Sequence, residues 1–345
     1  MQSATLDAYL NTYTGSNDPV RQQIANTIRA FAGAAVQIRK SVNEGALGAA
    51  FAGSRSTSNA DGDAQKELDV HADNRFLDAA RQAGIAYYAS EELPGPVTIN
   101  TQSDIAVAID PLDGSSNIDT NVSIGTIFSI LPCGEGPGAT FAQTGESQLA
   151  AGFFIYGPQL ALVLTTGSGT RIYVFSGRLG TFVEAYESIA IPRTAREFAI
   201  NASNYRHWDE AVRLYIDDCL AGSEGPRAED FNMRWIASLV ADTYRILIRG
   251  GVFLYPGDGR RGYANGRLRL VYEANPIAML IEQAGGAATD GLTRILELTP
   301  RDVHQRTPLV FGSYKEVATI GRYHSDPSSI ADRHPLFTNR GLFRA

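Results

Sequence analysis

Asp110-Pro111-Leu112-Asp113-Gly114-Ser115-Ser116 closes the apolar run Ile105–Ile109. Two carboxylates three positions apart end a buried strand, and a Gly-Ser-Ser turn follows at once. Mg²⁺ is a hard cation that takes oxygen ligands and keeps waters, using a few carboxylates plus substrate phosphate. A Gly-Ser-Ser turn can aim backbone N–H groups at a phosphate, above all where a helix begins. Metal ligands and a phosphate cradle therefore share one turn, which implies metal-assisted phosphate chemistry. A lone Asp-x-x-Asp is ordinarily a solvated turn; the adjoining Gly-Ser-Ser raises this one above that reading.

Strand signals surround the turn. Ile85–Ala89, Ile105–Ile109, Val122–Leu131, Ala150–Tyr156, Leu160–Thr165 and Arg171–Phe175 are short apolar runs separated by Gly, Pro and Ser. The piece Gly134–Gly138 reads as a hairpin or surface loop. Upstream, Asp18-Pro19 opens a helix with a cap and a first-turn proline. Val20, Ile24, Ile28, Phe31, Ala35, Ile38 and Val42 recur at steps of three or four, and Gly45 ends the stripe. Residues 51–62 read as a loop, and a second helix covers His71–Ala83, stopped by Gly84. After Ile191-Pro192 helices are expected near 208–221, 235–249, 275–285 and 313–322, with strands near 251–255, 268–272 and 308–312. The expected organisation is α/β in two domains, 1–190 and 191–326, with an extension over 327–345. That extension carries Pro335-Leu336-Phe337 and Leu342-Phe343, which suit packing on the body.

The whole chain has 345 residues, 44% of them hydrophobic, with 34 glycines, enough for two globular domains. Its net charge is −7 and its pI is about 5.3. This acidity argues against nucleic acid as a partner, and a polyanionic ligand would need cations gathered locally. The N-terminus lacks the basic-then-apolar pattern of a signal peptide, and no apolar run reaches the roughly 20 residues of a membrane span. Cys133 and Cys219 suit free thiols in a reducing cytoplasm.

Further carboxylates stand at the rims of expected elements. Asp63 and Asp69 flank Lys66-Glu67-Leu68, Glu91-Glu92 follow the strand Ile85–Ala89, and Glu273 ends the strand Leu268–Tyr272. Carboxylates at the ends of several strands converge where open α/β sheets bind ligands. Four or more in one place repel one another unless cations sit among them. A two-metal arrangement, which clamps both attacking and leaving oxygens of a phosphoryl displacement, fits such a set.

At this point the chain resembles the class I fructose-1,6-bisphosphatases, within the lithium-sensitive, Mg²⁺-dependent sugar phosphatase superfamily. The matching strings are Gly62–Asp69 (GDAQKELD), Ser90-Glu91-Glu92 and Asp110–Phe128 (DPLDGSSNIDTNVSIGTIF). Further on come Arg234 with Ser238–Asp242 (SLVAD), Gly250–Pro256 (GGVFLYP), Asn265–Glu273 (NGRLRLVYE) and Ile281–Gly286 (IEQAGG). The match runs in order from about residue 19 to 322.

The resemblance implies a layered α-β-α-β-α sandwich and a homotetramer. It implies that Glu91, Asp110, Asp113, Glu273 and the Leu112 carbonyl hold two or three Mg²⁺ per subunit, or Mn²⁺, with Asp63 assisting. It gives Glu92 and Asp69 the orientation or deprotonation of the attacking water. The N–H groups of Asp113, Gly114, Ser115 and Ser116 would hold the 1-phosphate of fructose 1,6-bisphosphate. Asn201, Tyr205, Tyr255 and Arg267 would hold the distal phosphate, with Arg234 reaching it from a neighbouring subunit.

The chain departs from the family pattern in places. Arg267 replaces a lysine on the distal phosphate, and Arg grips phosphate bidentately. Trp235 replaces a tyrosine and loses its hydroxyl. The family's AMP loop becomes Gly15-Ser16-Asn17-Asp18-Pro19, and its lysine–tyrosine pair falls on Asp104 and Ile105, so weak AMP inhibition is expected. The cysteine-bearing insertion of the redox-regulated plastid form is missing. Ile118-Asp119-Thr120-Asn121 leans toward the sedoheptulose-1,7-bisphosphatases, which makes dual activity, as in carbon fixation, an alternative to a gluconeogenic role. An inositol-monophosphatase-like role fits less well, because a second phosphate site is present. A non-catalytic sugar-phosphate sensor would need a broken metal set, and every carboxylate is here.

Overall fold

Aromatic and β-branched runs between Tyr87 and Tyr186 pair into one sheet whose inner strands are apolar on both faces. The structure is a computed structural model that describes residues 4–15, 18–51, 60–118 and 120–325, without the side chains of 44–67. In chain order the strands of this sheet are β1 (Tyr87–Ser90), β2 (Val97–Thr98), β3 (Ile105–Asp113), β4 (Ile124–Pro132), β5 (Ala150–Tyr156), β6 (Leu160–Thr165), β7 (Arg171–Ser176) and β8 (Thr181–Tyr186). Their spatial order is β2-β1-β3-β4-β5-β6-β7-β8, and only β1 and β3 run parallel. Among the described residues a second sheet is built from β9 (Glu197–Ala199), β10 (Asn232–Met233), β11 (Val252–Tyr255), β13 (Ala287–Thr289) and β15 (Leu309–Gly312), in the order β10-β9-β11-β15-β13. The short strands β12 (Leu268–Arg269) and β14 (Arg306–Thr307) pair with each other.

Helices separate and cover the sheets. On one face of the first sheet lie α1 (Leu6–Tyr13), α2 (Pro19–Phe51) and α3 (Ala60–Ala83). Ile24, Ile28, Phe31 and Phe76 of these helices meet Phe128, Phe154 and Tyr156 in one buried cluster. The short α4 (Gly136–Phe141) follows β4 and sends Phe141 against Ala106 and Ala108 of β3. On the opposite face, Ile127, Phe153 and Val163 pack against α6 (Leu239–Arg249) and α7 (Asn275–Gln283). Those two helices also touch Phe253 and Phe311 of the second sheet, so they form a middle layer. The outer face of that sheet packs Phe198, Leu254 and Val310 on α5 (Glu210–Leu220) and α8 (Tyr314–Ser325). The layers are α-β-α-β-α, as the sequence resemblance implies. The alternation that puts Phe154 and Tyr156 on one side and Phe153 and Ile155 on the other is the period-two pleat.

Several elements differ from expectation. Gly45 does not end α2, which runs on to Phe51 through a stretch with three alanines, Ala46, Ala49 and Ala50; an interior Gly costs only about 1 kcal/mol relative to Ala. The helix expected from His71 begins at Ala60, so the end of the 51–62 loop is helical. Gly84 does stop it, at φ 69°. The Gly134–Gly138 piece starts α4 rather than making a hairpin, with Pro137 in its first turn. The strand expected over 268–272 is two residues long and turns into a π-helical segment, Leu270–Ala274. The helix α1 and strand β8, unforeseen, clasp each other through Thr5 and Val183. The 327–345 extension lies outside the described residues.

Candidate active site

The strand β3 does not pair uniformly. Its partners on β4 run from Ile105 with Pro132 to Asp110 with Ile127, and then jump to Asp113 with Gly125. Three steps on β3 match two on β4, so Pro111 and Leu112 bulge out of the ladder. Pro111 suits this place because it has no N–H for the ladder to lose. The bulge re-aims both carboxylates. Asp110 accepts the Leu112 N–H at 3.0 Å, and Asp113 accepts the Val240 N–H at the start of α6 at 3.3 Å. Gly114 then turns in the left-handed region, φ 75°, and a 3₁₀ turn over Ser115–Asn117 begins. Asn117 ties that turn to the Ala237 carbonyl at 2.8 Å.

The close approach of α6 requires glycine at 125. A Cβ there would stand 2.4 Å from the Phe154 carbonyl oxygen and 2.7 Å from the Val240 methyls. Gly125→Ala is therefore expected to destabilise the protein by about 1–3 kcal/mol and to push Val240 off Asp113. A melting curve and a metal titration check both effects, and an unshifted curve would show that the helix yields.

Three carboxylates from three separate segments meet. One oxygen each of Glu91, Asp110 and Glu273 lies within 4.8 Å of the others. Glu91 follows β1 and its N–H donates to the Ile109 carbonyl at 3.1 Å. Glu273 projects from the π-helical turn and accepts the Arg269 N–H at 2.6 Å. Asp113 stands beside this trio, close enough to raise Asp110 and Glu273 electrostatically. Burial, and then the neighbouring Glu91, hold Asp110 and Glu273 well above the usual carboxylate range. Burial pushes Asp113 up to about 7, against the opposing Val240 hydrogen bond. Burial also raises Glu91, although Arg269 pairs with it at 2.7 Å and pulls the other way.

Asp69, half-buried on α3, is raised to about 6 by burial and then by Glu92. Its Oδ1 is buried with no hydrogen-bond partner in the protein. Glu92 is exposed, and its N–H donates to the Ser90 hydroxyl at 3.2 Å. Asp63 lies on α3, outside the described side chains.

The second set of expected residues lies in the turn after β9, beside the end of β10, at the end of β11 and in the loop to β12. Asn201 and Tyr255 line one cleft. Tyr255 is near enough to Arg267 and Glu273 to feel both charges, which links this cleft to the acidic trio. Arg267 is exposed and donates to the Tyr263 hydroxyl at 2.5 Å. Tyr205 is turned away, its hydroxyl donating to Asp217 on α5 at 2.9 Å. Arg234, half-exposed, is held by Glu197 of its own chain at 2.8 Å. Trp235 stacks on Phe253 with ring centroids 5.5 Å apart.

Models of the N- and C-terminal domains of fructose-1-6-bisphosphatase match residues 12–187 and 191–325. The chain belongs to the fructose-1,6-bisphosphatase family. It is 64% identical over 349 residues to a class 1 fructose-1,6-bisphosphatase of Rhizobium meliloti, with all of both chains covered. It is 54% identical to one of Azorhizobium caulinodans, over 94% of this chain and 100% of that one. The holo form of Leishmania major fructose-1,6-bisphosphatase superposes with a TM-score of 0.84 at 30% identity, over 94% of this chain and 99% of that one.

Fructose-1,6-bisphosphatases are metal-dependent, and the donors here fit a cation. Oxygen-only ligands, mutual repulsion and an orphaned Asp69 oxygen are what a hard divalent ion relieves. Sequence reading missed Arg269, Val240, Tyr263 and Glu197. Arg267 and Arg269 sit two apart in the sequence, a spacing that a strand over 268–272 would have made a legible signal. The contacts of Val240 and Glu197 join distant segments and carry no local signature.

Proposed function

We propose that this chain hydrolyses D-fructose 1,6-bisphosphate to fructose 6-phosphate and phosphate. The observation that carries the reading is the Glu91–Asp110–Glu273 trio set beside the Gly114–Ser116 turn. In this reading Glu91, Asp110, Asp113, Glu273 and the Leu112 carbonyl hold two or three Mg²⁺ per subunit, or Mn²⁺, with Asp63 assisting. Bound metal supplies positive charge for the transferring phosphoryl group and lowers the pKa of water. The protein's own part is to position and to move protons. The N–H groups of Asp113, Gly114, Ser115 and Ser116 bind the 1-phosphate, as helix and turn N-termini do. Asp69 and Glu92 orient the attacking water in line with phosphorus, and Glu92, open to solvent, takes its proton. Asn201, Tyr205, Tyr255 and Arg267 bind the distal phosphate, and Arg234 reaches it from the neighbouring subunit of a homotetramer. For that, Tyr205 and Arg234 exchange Asp217 and Glu197 for phosphate.

The proposed setting is the cytoplasm; no helix among the described residues is long and apolar enough to cross a membrane. The proposed boundary between a metal and 1-phosphate domain, 1–190, and a sugar and distal-phosphate domain, 191–326, is supported by the change of sheet after β8. A second reading, dual action on sedoheptulose 1,7-bisphosphate, rests on Ile118-Asp119-Thr120-Asn121. Phosphate release from both bisphosphates, with and without Mg²⁺, tests the two together. Silence on both with metal present would overturn the proposal.

AMP is expected to inhibit weakly or not at all. Gln23 of α2 spans to the Gly84 carbonyl at 2.9 Å and the Ser103 hydroxyl at 2.7 Å. The exposed Asp104 beside them would repel a phosphate. Inhibition by micromolar AMP in the same assay would refute this.

A further inference from the structure

The bulge that aims the proposed metal ligands needs something to hold it, since Pro111 and Leu112 have left the β3–β4 ladder. Thr126 is the β4 residue between Gly125 and Ile127, the partners of Asp113 and Asp110. It is fully buried. Its hydroxyl lies 2.8 Å from the Pro111 carbonyl oxygen and 2.8 Å from the Tyr156 hydroxyl. A carbonyl only accepts, so Thr126 donates to Pro111 and accepts from Tyr156. Tyr156 is 5% exposed. The pair therefore forms one directed chain, from the Tyr156 phenol through the Thr126 hydroxyl to the bulge.

We propose that Thr126 is a positioning residue for metal binding, and that the Tyr156 hydroxyl orients it. The inference rests on the metal reading above. Without the hydroxyl, the Pro111 carbonyl would lose this buried donor at the point where the ladder register breaks, and losing such a partner drives local rearrangement. The rearrangement would fall on the peptide units that connect Asp110 to Asp113. The effect is thus on ligand geometry rather than on core packing, because Thr→Val keeps the shape of the side chain.

Mn²⁺ titration of the full-length, chelator-stripped protein by electron paramagnetic resonance, without substrate, tests this directly. Thr126→Val is expected to weaken Mn²⁺ binding by about tenfold or more, as loss of a group that orients metal ligands does. The metal concentration for half-maximal phosphate release should rise by the same factor, while KM for fructose 1,6-bisphosphate at saturating metal stays near wild type. Thr126→Ser, which restores the hydroxyl, is expected to bind as wild type, and Tyr156→Phe to lose less than Thr126→Val. Wild-type Mn²⁺ affinity in Thr126→Val would overturn the proposal, as would an equal loss in Thr126→Ser. If Thr126→Val does not fold, unchanged affinity in Tyr156→Phe would overturn it. A wild-type chain that binds no Mn²⁺ would instead overturn the metal reading itself.

Discussion

Glu92→Gln is expected to lower kcat by about 10²–10⁴-fold, the usual worth of a positioned general base, with fructose 1,6-bisphosphate still bound. The side chain is exposed and lies next to Glu91, whose carboxylate faces Asp110 and Glu273. Gln keeps the shape but cannot take a proton at neutral pH. Its amide also removes one negative charge near Asp69, whose carboxyl is raised partly by Glu92. The carboxyl of Asp69 should therefore fall from about 6 in the variant, which moves the acid limb of the residual rate to lower pH. Calorimetric binding of substrate beside a pH–rate profile measures both. Full turnover in Glu92→Gln would remove that residue from the mechanism.

The second large effect concerns Asp110, which binding energy and folding energy pull in opposite directions. Asp110 is 5% exposed and lies among Glu91, Asp113 and Glu273. Its pKa, like that of Asp113 at about 7, is raised in the folded state. A carboxyl of this kind stabilises the fold fully below its unfolded value, about 4, and loses that contribution as pH rises through the folded value. Metal-free protein should accordingly melt at a lower temperature at about pH 8 than at about pH 5.5, and the loss should centre on the window up to about pH 7. Adding Mg²⁺ should reverse it, by about 2.7 kcal/mol at a hundredfold excess over Kd. Asp110→Asn removes a buried charge and a ligand together. It is expected to melt higher than wild type without metal at about pH 8, to lose the Mg²⁺-induced rise, and to lose nearly all activity. Scanning calorimetry at both pH values, with and without Mg²⁺, checks the signs. A wild-type Mg²⁺ response in Asp110→Asn would sink the assignment.

Much of the fold is legible because its strands are nearly continuous apolar runs broken by Gly and Pro. The strands β5 and β6 were expected at their observed ends, since Gly157-Pro158 and Thr166-Gly167 punctuate them sharply. Boundaries failed where a residue's local tendency was overridden. Gly45 is absorbed into α2 by its helix-forming neighbours, and Glu273 sits on a π-helical turn where a strand was expected over 268–272. The extra residue of a π turn changes which way the carboxylate points, and that turn puts Glu273 against Glu91 and Asp110. Strands as short as β9, β10 and β14 hold too few residues for any period to register.

The sequence alone determined that Asp110 and Asp113 close an apolar strand and that the Gly-Ser-Ser turn after them can hold an anion. Those are local properties, set by the apolar run and by the residue types of the turn. Only the tertiary structure decided which carboxylates share the site, and in what state. Glu273 arrives from about 160 residues downstream, Arg269 pairs with Glu91, and Val240 offers its N–H to Asp113 because Gly125 lets α6 come close. Burial and mutual repulsion then set the charge, and these depend on distance through space, which no spacing along the chain encodes.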